Sequence, residues 1–147
     1  MASSILVIRD QQVLLDDVMI SAGCCDADGE SCLAVDLFSD SRELSRHGFA
    51  LNGIAFSGVD SLESLQGQVA VLRADDEEAD ALAESVICEP GQVLEINAMQ
   101  LNFGEIADGH FTIDFLAICS RIDDAGNTVE DEIRVLGCLN AEIRARQ

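Results

Sequence analysis

The sequence predicts a single, mainly β domain over residues 1–147, at the border of the α+β class. We expect an antiparallel sandwich or barrel of about eight strands, with one amphipathic helix and a C-terminal three-stranded meander. Three observations support this prediction. Short apolar runs alternate with turn residues early in the chain, one hairpin has a register that can be checked, and three long alternating segments follow residue 92.

The first strands are short. Residues 5–8 and 13–15 are apolar and flank the polar stretch Arg9-Asp10-Gln11-Gln12, which predicts two strands joined by a turn. A third strand is expected over residues 18–25, because that run is again apolar and leads into the turn dipeptide Asp28-Gly29.

The Asp28-Gly29 dipeptide predicts a two-residue hairpin loop, since both residues accept positive φ angles. The loop would pair Ala27 with Glu30, Cys25 with Cys32, Cys24 with Leu33, Ala22 with Val35, and Ile20 with Leu37. One side of the hairpin is then wholly apolar: Val18, Ile20, Ala22, Cys24, Leu33, Val35 and Leu37. Cys25 and Cys32 fall on the other side, where we expect a pair of facing free thiols.

The middle of the chain predicts short elements. A helix over residues 40–47 would end at Gly48, because a capping pair begins it and a glycine follows its last turn. A strand over 49–56 interrupted by Gly53, a single helical turn over 60–66 and a strand over 69–72 follow.

The amphipathic helix is expected over residues 75–87. Its buried stripe has helical spacing and consists of Ala79, Leu82, Ala83, Val86 and Ile87. Acidic residues at its start suit the helix dipole, and Pro90-Gly91 blocks its continuation. The outer side would form an acidic partner-binding face: Asp75, Asp76, Glu77, Glu78 and Asp80.

The meander is expected over residues 93–106, 110–122 and 129–143. Simple loops would pair Met99 with Ile118 and Ile133, and Leu101 with Leu116 and Val135, all on one face continued by Leu139, Ala141 and Ile143. Arg121 would lie opposite Glu130 as an ion pair. The middle strand has a second apolar face, so we expect both of its faces to be covered: Phe111, Ile113, Phe115, Ala117 and Cys119.

Charge excludes several classes of function. The chain has 28 acidic and 8 basic residues, a net charge of −20, and every basic residue is arginine. Such a surface repels phosphate backbones and anionic lipids, so we expect no nucleic-acid and no membrane partner. The acidity fits either solubility in a salty cytoplasm or a surface that meets a basic partner. The lack of lysine excludes Schiff-base chemistry and the phosphate loop that ends in Gly-Lys.

The cysteines and the first residues predict a compartment. The first thirteen residues have no basic segment and only four consecutive apolar residues, which does not match a signal peptide. We therefore expect a cytoplasmic location and reduced thiols. The spacing of Cys24, Cys25 and Cys32 does not match a zinc knuckle, and the acidic turns do not match a calcium loop. No metal or other cofactor is expected.

Three residues are candidates for catalysis. His47 and His110 are the two histidines, and Asp114 interrupts the apolar middle strand of the meander. Each of the three also has a purely structural interpretation. His47 would lie at the end of a helix, His110 at an exposed hairpin tip, and Asp114 at the end or edge of a strand.

Three functions remain open from the sequence. The leading hypothesis is a non-enzymatic, acidic, β-rich interaction or assembly module, homo-oligomeric through the second apolar face of the last sheet. The first alternative is an acidic inhibitor or immunity protein that mimics nucleic acid and binds a basic partner through residues 75–80. The second is a small ligand-binding or enzymatic barrel that uses His47, His110 or Asp114.

Overall fold

The computed structural model describes residues 4–15, 18–27, 30–39, 47–59, 61–73 and 85–145. This part of the chain is almost entirely strand. The strands are β1 (Ser4–Ile8), β2 (Gln11–Leu15), β3 (Val18–Ala27), β4 (Glu30–Ser39), β5 (Gly48–Ser57), β6 (Val69–Arg73), β7 (Val86–Glu89), β8 (Gln92–Ala107), β9 (His110–Ile122) and β10 (Thr128–Ala145). A 3₁₀ turn at Leu62–Leu65 lies between β5 and β6.

Seven of the strands close into a barrel. Its order is β3-β4-β5-β7-β8-β9-β10, and β10 completes the ring by pairing with β3. The β10 and β3 strands run parallel, whereas all other neighbours in the barrel are antiparallel. Closure gives each of these strands a partner on both sides, so the barrel has no free strand edge.

The other three strands extend from the barrel because β8 and β10 are unusually long. The middle of β10, residues 135–138, pairs with β1, which pairs with β2, and the last residues of β10 pair with β3. The first residues of β8 pair with β7, and residues 98–102 pair with β6. A second set of neighbours results, with the order β2-β1-β10-β9-β8-β6, and its middle three strands also belong to the barrel wall.

The core lies inside the barrel. Inward-facing side chains such as Leu101, Phe115 and Val135 are at most 2 % exposed. Aromatic rings bridge opposite parts of the interior, with 5.6 Å between the ring centroids of Phe49 and Phe115. Because the chain has no Trp or Tyr, branched aliphatic residues fill most of the remaining space.

The structure confirms the mainly β prediction, the first hairpin and the meander. All five predicted residue pairs between β3 and β4 are present. The β8, β9 and β10 strands pair in the predicted antiparallel order, and Arg121 lies opposite Glu130. The helical turn predicted within residues 60–66 is the 3₁₀ turn. Gly53 has a φ of 64° and lies at a bulge between β4 and β5, which explains the interruption of that strand pattern.

The predicted register of the meander is wrong by one residue on its middle strand. Met99 pairs with Ala117 rather than Ile118, and Leu101 pairs with Phe115 rather than Leu116. The cause is a bulge between Phe103 and Ile106, which shifts the register set by the hairpin loop. Irregularities between Thr128 and Ile133 of β10 shift the pairing with β9 in the same way.

This shift reverses the faces of β9. The side chains expected on a second, oligomer-forming face all lie in the barrel core: Phe111, Ile113, Phe115, Ala117 and Cys119. The expected assembly face of β9 is therefore wrong, because barrel closure already buries it. Leu116 and Ile118, which were expected in the core, lie on the outside of the barrel instead.

The two helix predictions, a short one over residues 40–47 and a longer one over 75–87, fall mostly outside the described residues, at 40–46 and 74–84. The predicted end of the second helix, at Ile87, is wrong, because Val86 and Ile87 belong to strand β7. Ile87 is fully buried in the barrel and pairs with Phe49 and Leu94. In the part of the chain that the structure describes, no helix has the length and hydropathy needed to cross a membrane.

Candidate functional site

The solvent side of strands β2-β1-β10-β9-β8-β6 forms a continuous surface, which we call the outer face. Cross-strand pairing arranges its side chains in three rows. The Asp114 row contains Val69, Asn102, Asp114, Cys138, Ile5 and Leu14. The Leu116 row contains Val71, Gln100, Leu116, Leu136, Val7 and Gln12. The Arg134 row contains Arg73, Ala98, Ile118 and Arg134.

The outer face is unusually apolar for a surface. Among the described residues, seven large hydrophobic side chains are exposed, and five of them are on this face: Leu14, Val69, Val71, Leu116 and Leu136. Val71 is 59 % exposed and Leu136 is 49 % exposed. Exposed apolar residues scattered singly are normal, whereas exposed apolar residues gathered on one face are not. Leu116 and Leu136 are adjacent in one row, and Val69 and Val71 lie together on β6, separated from them by the polar side chains of β8.

The three rows of the outer face are also poor in acid. Asp114 is their one acidic residue, and Arg73 and Arg134 give the rows a net charge of +1, in a chain whose total is −20. Beyond the rows, Glu95, Glu105, Glu132 and Glu142 are exposed on β8 and β10. Of the arginines in the described part of the chain, Arg9, Arg121 and Arg144 form ion pairs with glutamates. No described residue forms an ion pair with Arg73 or Arg134. The face therefore offers apolar surface and two available guanidinium groups.

An open groove of about 490 Å³ crosses the centre of the outer face, between the Leu116 row and the Asp114 row. Leu116, Leu136 and Val7 line one side of it, and Asp114 and Cys138 line the other. A hydrogen bond to Asp114 and partial burial both raise the pKa of the Cys138 thiol. The thiol therefore stays protonated near neutral pH and acts here as a small polar contact rather than a nucleophile.

A cluster of paired charges lies at one end of the barrel. Arg9, in the tight turn between β1 and β2, has a φ of 53°, and its guanidinium makes a two-pronged contact with Glu89 (Nε to Oε2 3.0 Å, Nη2 to Oε1 3.2 Å). Gln92 donates to the same carboxylate at 3.0 Å, and Arg9 also binds Glu130. These contacts raise the pKa of Arg9 and lower that of Glu130. Because Arg9 and both of its carboxylates are paired, the cluster fixes the β1–β2 turn to the barrel rather than offering a reactive group.

A polar chain lies next to this cluster. The amide of Asn97 donates to the Ser120 hydroxyl, which in turn donates to Asp131 at 2.8 Å. The bond from Ser120, with one from the backbone N–H of Glu132, lowers the pKa of Asp131. No histidine lies in the chain of hydrogen bonds, so the serine has no base to activate it. The chain joins β8, β9 and β10 at the bulges where their register shifts.

A cleft of about 430 Å³ lies between β4, β5 and β7. Phe38, Phe49 and Val86 give it an apolar lining, and Asp36 and Cys88 contribute polar atoms. Burial raises the pKa of the Cys88 thiol, which makes it a poor nucleophile.

The three candidate catalytic residues are not brought together. His110 begins β9, where its Nδ1 lies 3.0 Å from the carbonyl oxygen of Asp108, and Asp114 is four residues farther along, about 13 Å away along the strand. His47 precedes β5, which is three strands from β9 around the barrel. Asp114 is exposed, as an edge position would be, although β9 is a central strand.

The remaining predicted sites lie partly or wholly outside the residues that the structure describes. The backbones of Cys25 and Cys32 are paired as predicted, but their side chains are outside the described part of the chain. The acidic residues Asp75, Asp76, Glu77, Glu78 and Asp80 also lie outside it. Within the described residues, no group of three or more His, Cys, Asp or Glu side chains is arranged to hold a metal ion.

Sequence reasoning missed the outer face because of the one-residue register error. With the register of the hairpin loop, Leu116 and Ile118 belong to the core and the face is not visible. Gly104, next to the loop, was the available signal, since an isolated glycine in a strand pattern often marks a bulge. The Arg9 cluster had no comparable signal, because Arg9 and Glu89 are 80 residues apart in sequence.

Comparison with known proteins adds no relative: no family model, no curated protein and no solved structure matches this chain. Functional assignment therefore depends on the surfaces described above.

Proposed function

We propose that this protein is a non-enzymatic, acidic assembly module that associates with itself through the outer face. The observation that carries the proposal is the concentration of exposed apolar side chains in two adjacent rows of an acid-poor surface. Burial of these rows against a second molecule stabilises the complex by roughly 25 cal/mol for each Å² of apolar surface removed from water. A sheet face that stays in water does not gain this free energy.

Charge favours a second copy as the occupant. Two chains of net charge −20 repel each other over most of their surfaces, and the repulsion is smallest where acidic side chains are absent. A basic partner would instead gain most from acid-rich surfaces. The three acid-poor rows of the outer face therefore suit a copy of the same acidic chain.

The test is the mass in solution, measured by light scattering over a series of concentrations. We expect the mass to rise with concentration and to reach that of an oligomer. The variant Val71→Asp, at the β6 end of the Leu116 row, should remain monomeric over the same series, because it adds an unpaired charge to the buried contact.

A matched control is Val129→Asp. Val129 is 49 % exposed and lies outside the three rows, so the same substitution there should leave association unchanged. A wild-type protein that stays monomeric up to about 1 mM, the range of the weakest specific complexes, would overturn the proposal. Equal effects of the two substitutions would also count against the outer face.

A further inference from the structure

Arg134 is an arginine without an ion pair among the described residues, in a chain with a large excess of acid. It is exposed on the outer face, and the one acid within the three rows is Asp114. The two cannot meet within one copy. Asp114 pairs with Cys138, and Cys138 lies four residues from Arg134 on the same strand, about 13 Å away.

Asp114 and Arg134 lie on opposite sides of the Leu116 row, two residues from it along their strands. A two-fold axis that runs along the Leu116 row exchanges the two outer rows. It places the Asp114 row of one copy over the Arg134 row of the other, and reverses the strand direction. Asp114 then faces Ile118 of the second copy, with Arg134 on the adjacent strand about 5 Å to the side, within reach of a long arginine side chain.

We infer that two copies of this chain pack outer face to outer face about that axis, with Leu116 and Leu136 at the centre and two reciprocal Asp114–Arg134 ion pairs beside them. A two-fold interface requires a surface that is complementary to itself, and opposite charges at equal distances from an apolar row provide this complementarity. Face-to-face packing of sheets keeps their strand directions within about 30° of each other, which the antiparallel arrangement allows.

The alternative axis, parallel to the strands, does not use these charges. It would place Asp114 over Cys138 and Arg134 over Ile118, each within its own row, and would leave both charges buried without a partner.

The area of the outer face limits the affinity of the dimer. Six strands span about 29 Å and five residues along a strand about 17 Å, a footprint of about 490 Å². Because a standard interface buries about 800 Å² on each partner, the dimer is weak and depends on concentration.

The test uses two charge reversals, Arg134→Asp and Asp114→Arg, at constant ionic strength. Each variant alone brings like charges together at both contacts, so its dimer should dissociate roughly tenfold or more easily than the wild type. An equimolar mixture of the two should form a heterodimer that approaches wild-type affinity, because both contacts are then between opposite charges. Sedimentation of one fluorescently labelled variant, titrated with the other, measures the dissociation constant of this heterodimer.

Overall charge predicts a different result. Asp114→Arg reduces the net charge from −20 to −18, since −20 plus 2 is −18. If only net charge mattered, this variant would associate more tightly than the wild type, whereas reciprocal pairing predicts weaker association. The charge reversals lie on exposed residues, so loss of folding is not expected, and urea unfolding of each variant checks it.

This inference rests on the proposed function, and the experiment separates the two. If the wild type does not associate at all, the proposed function fails. If the wild type associates but the mixture is no tighter than the single variants, self-association stands and the reciprocal arrangement is overturned.

Discussion

Gly137 lies on β10 directly opposite Phe115, and the phenylalanine ring covers it. A Cβ atom at this position would lie 2.1 Å from Cε2, 2.4 Å from Cδ2 and 2.7 Å from Cζ of that ring. Ordinary contacts between carbon atoms are about 3.5–4.0 Å, so in Gly137→Ala the ring must move by about 1.4 Å or more. Phe115 is 2 % exposed and contacts Phe49, which leaves it little free space.

The free energy of unfolding should therefore fall. Overpacking of a close-packed core costs about 1–3 kcal/mol. Replacing glycine by alanine also restricts the unfolded chain, which stabilises the protein by about 0.4–1 kcal/mol. The net effect of Gly137→Ala is then a destabilisation of about 1–2 kcal/mol, out of the 5–15 kcal/mol that is typical of a single domain.

Urea unfolding measures this effect. With a slope of about 1–3 kcal/mol per molar urea, the midpoint should fall by roughly 1 M. The companion variant is Phe115→Leu, whose smaller side chain leaves room for the added methyl group. In that background the same Gly137→Ala change should cost less, so the two substitutions should be coupled by more than about 0.5 kcal/mol. An unchanged midpoint, or strictly additive effects, would refute the packing of Phe115 on Gly137.

Three further predictions concern charge and protonation. Self-association should strengthen with salt: two charges of −20 about 38 Å apart repel by about 40 kcal/mol without screening, and the Debye length falls from about 10 Å at 0.1 M to 3 Å at 1 M. Light scattering at increasing sodium chloride tests this, and a dissociation constant that rises with salt would contradict it. Asp114→Asn should speed alkylation of Cys138, because the hydrogen bond to the Asp114 carboxylate raises the pKa of the Cys138 thiol. The buried Cys119, with a pKa of about 12, should stay unreactive in both proteins and serves as the control. Peptide mass spectrometry measures the alkylation of each cysteine. Ser120→Ala should reduce the free energy of unfolding at neutral pH, where Asp131 is ionised. The difference from the wild type should vanish as the pH falls through the lowered pKa of Asp131. A difference in urea midpoints that persists at low pH would count against the Ser120–Asp131 bond.

Local signals in the sequence were sufficient for much of the fold. The Asp28-Gly29 loop and the alternation of apolar residues beside it determine the register of β3 and β4, because a slip by one residue would exchange the two faces. The turns of the meander likewise determine the order and direction of β8, β9 and β10. In these cases the paired residues are close in sequence, so few alternative pairings compete.

The candidate site depended on features that local patterns do not contain. The bulge between Phe103 and Ile106 decides whether Leu116 lies in the core or on the surface, and its energetic benefit comes from packing inside the closed barrel. The pairing of β1 with β10 brings the first and last strands together and extends the barrel wall into the six-stranded outer face, whereas the pairing of β3 with β10 closes the barrel.

The sequence by itself determined the strand content, the hairpins and the excess of negative charge. Only the tertiary structure decided which side of β9 faces solvent and which of the arginines within residues 4–15, 61–73 and 85–145 form ion pairs. The physical reason is that alternation defines two faces of a strand without saying which one is covered. Closure of the barrel covers the face that contains Phe111 and Phe115, and leaves Leu116 and its row exposed.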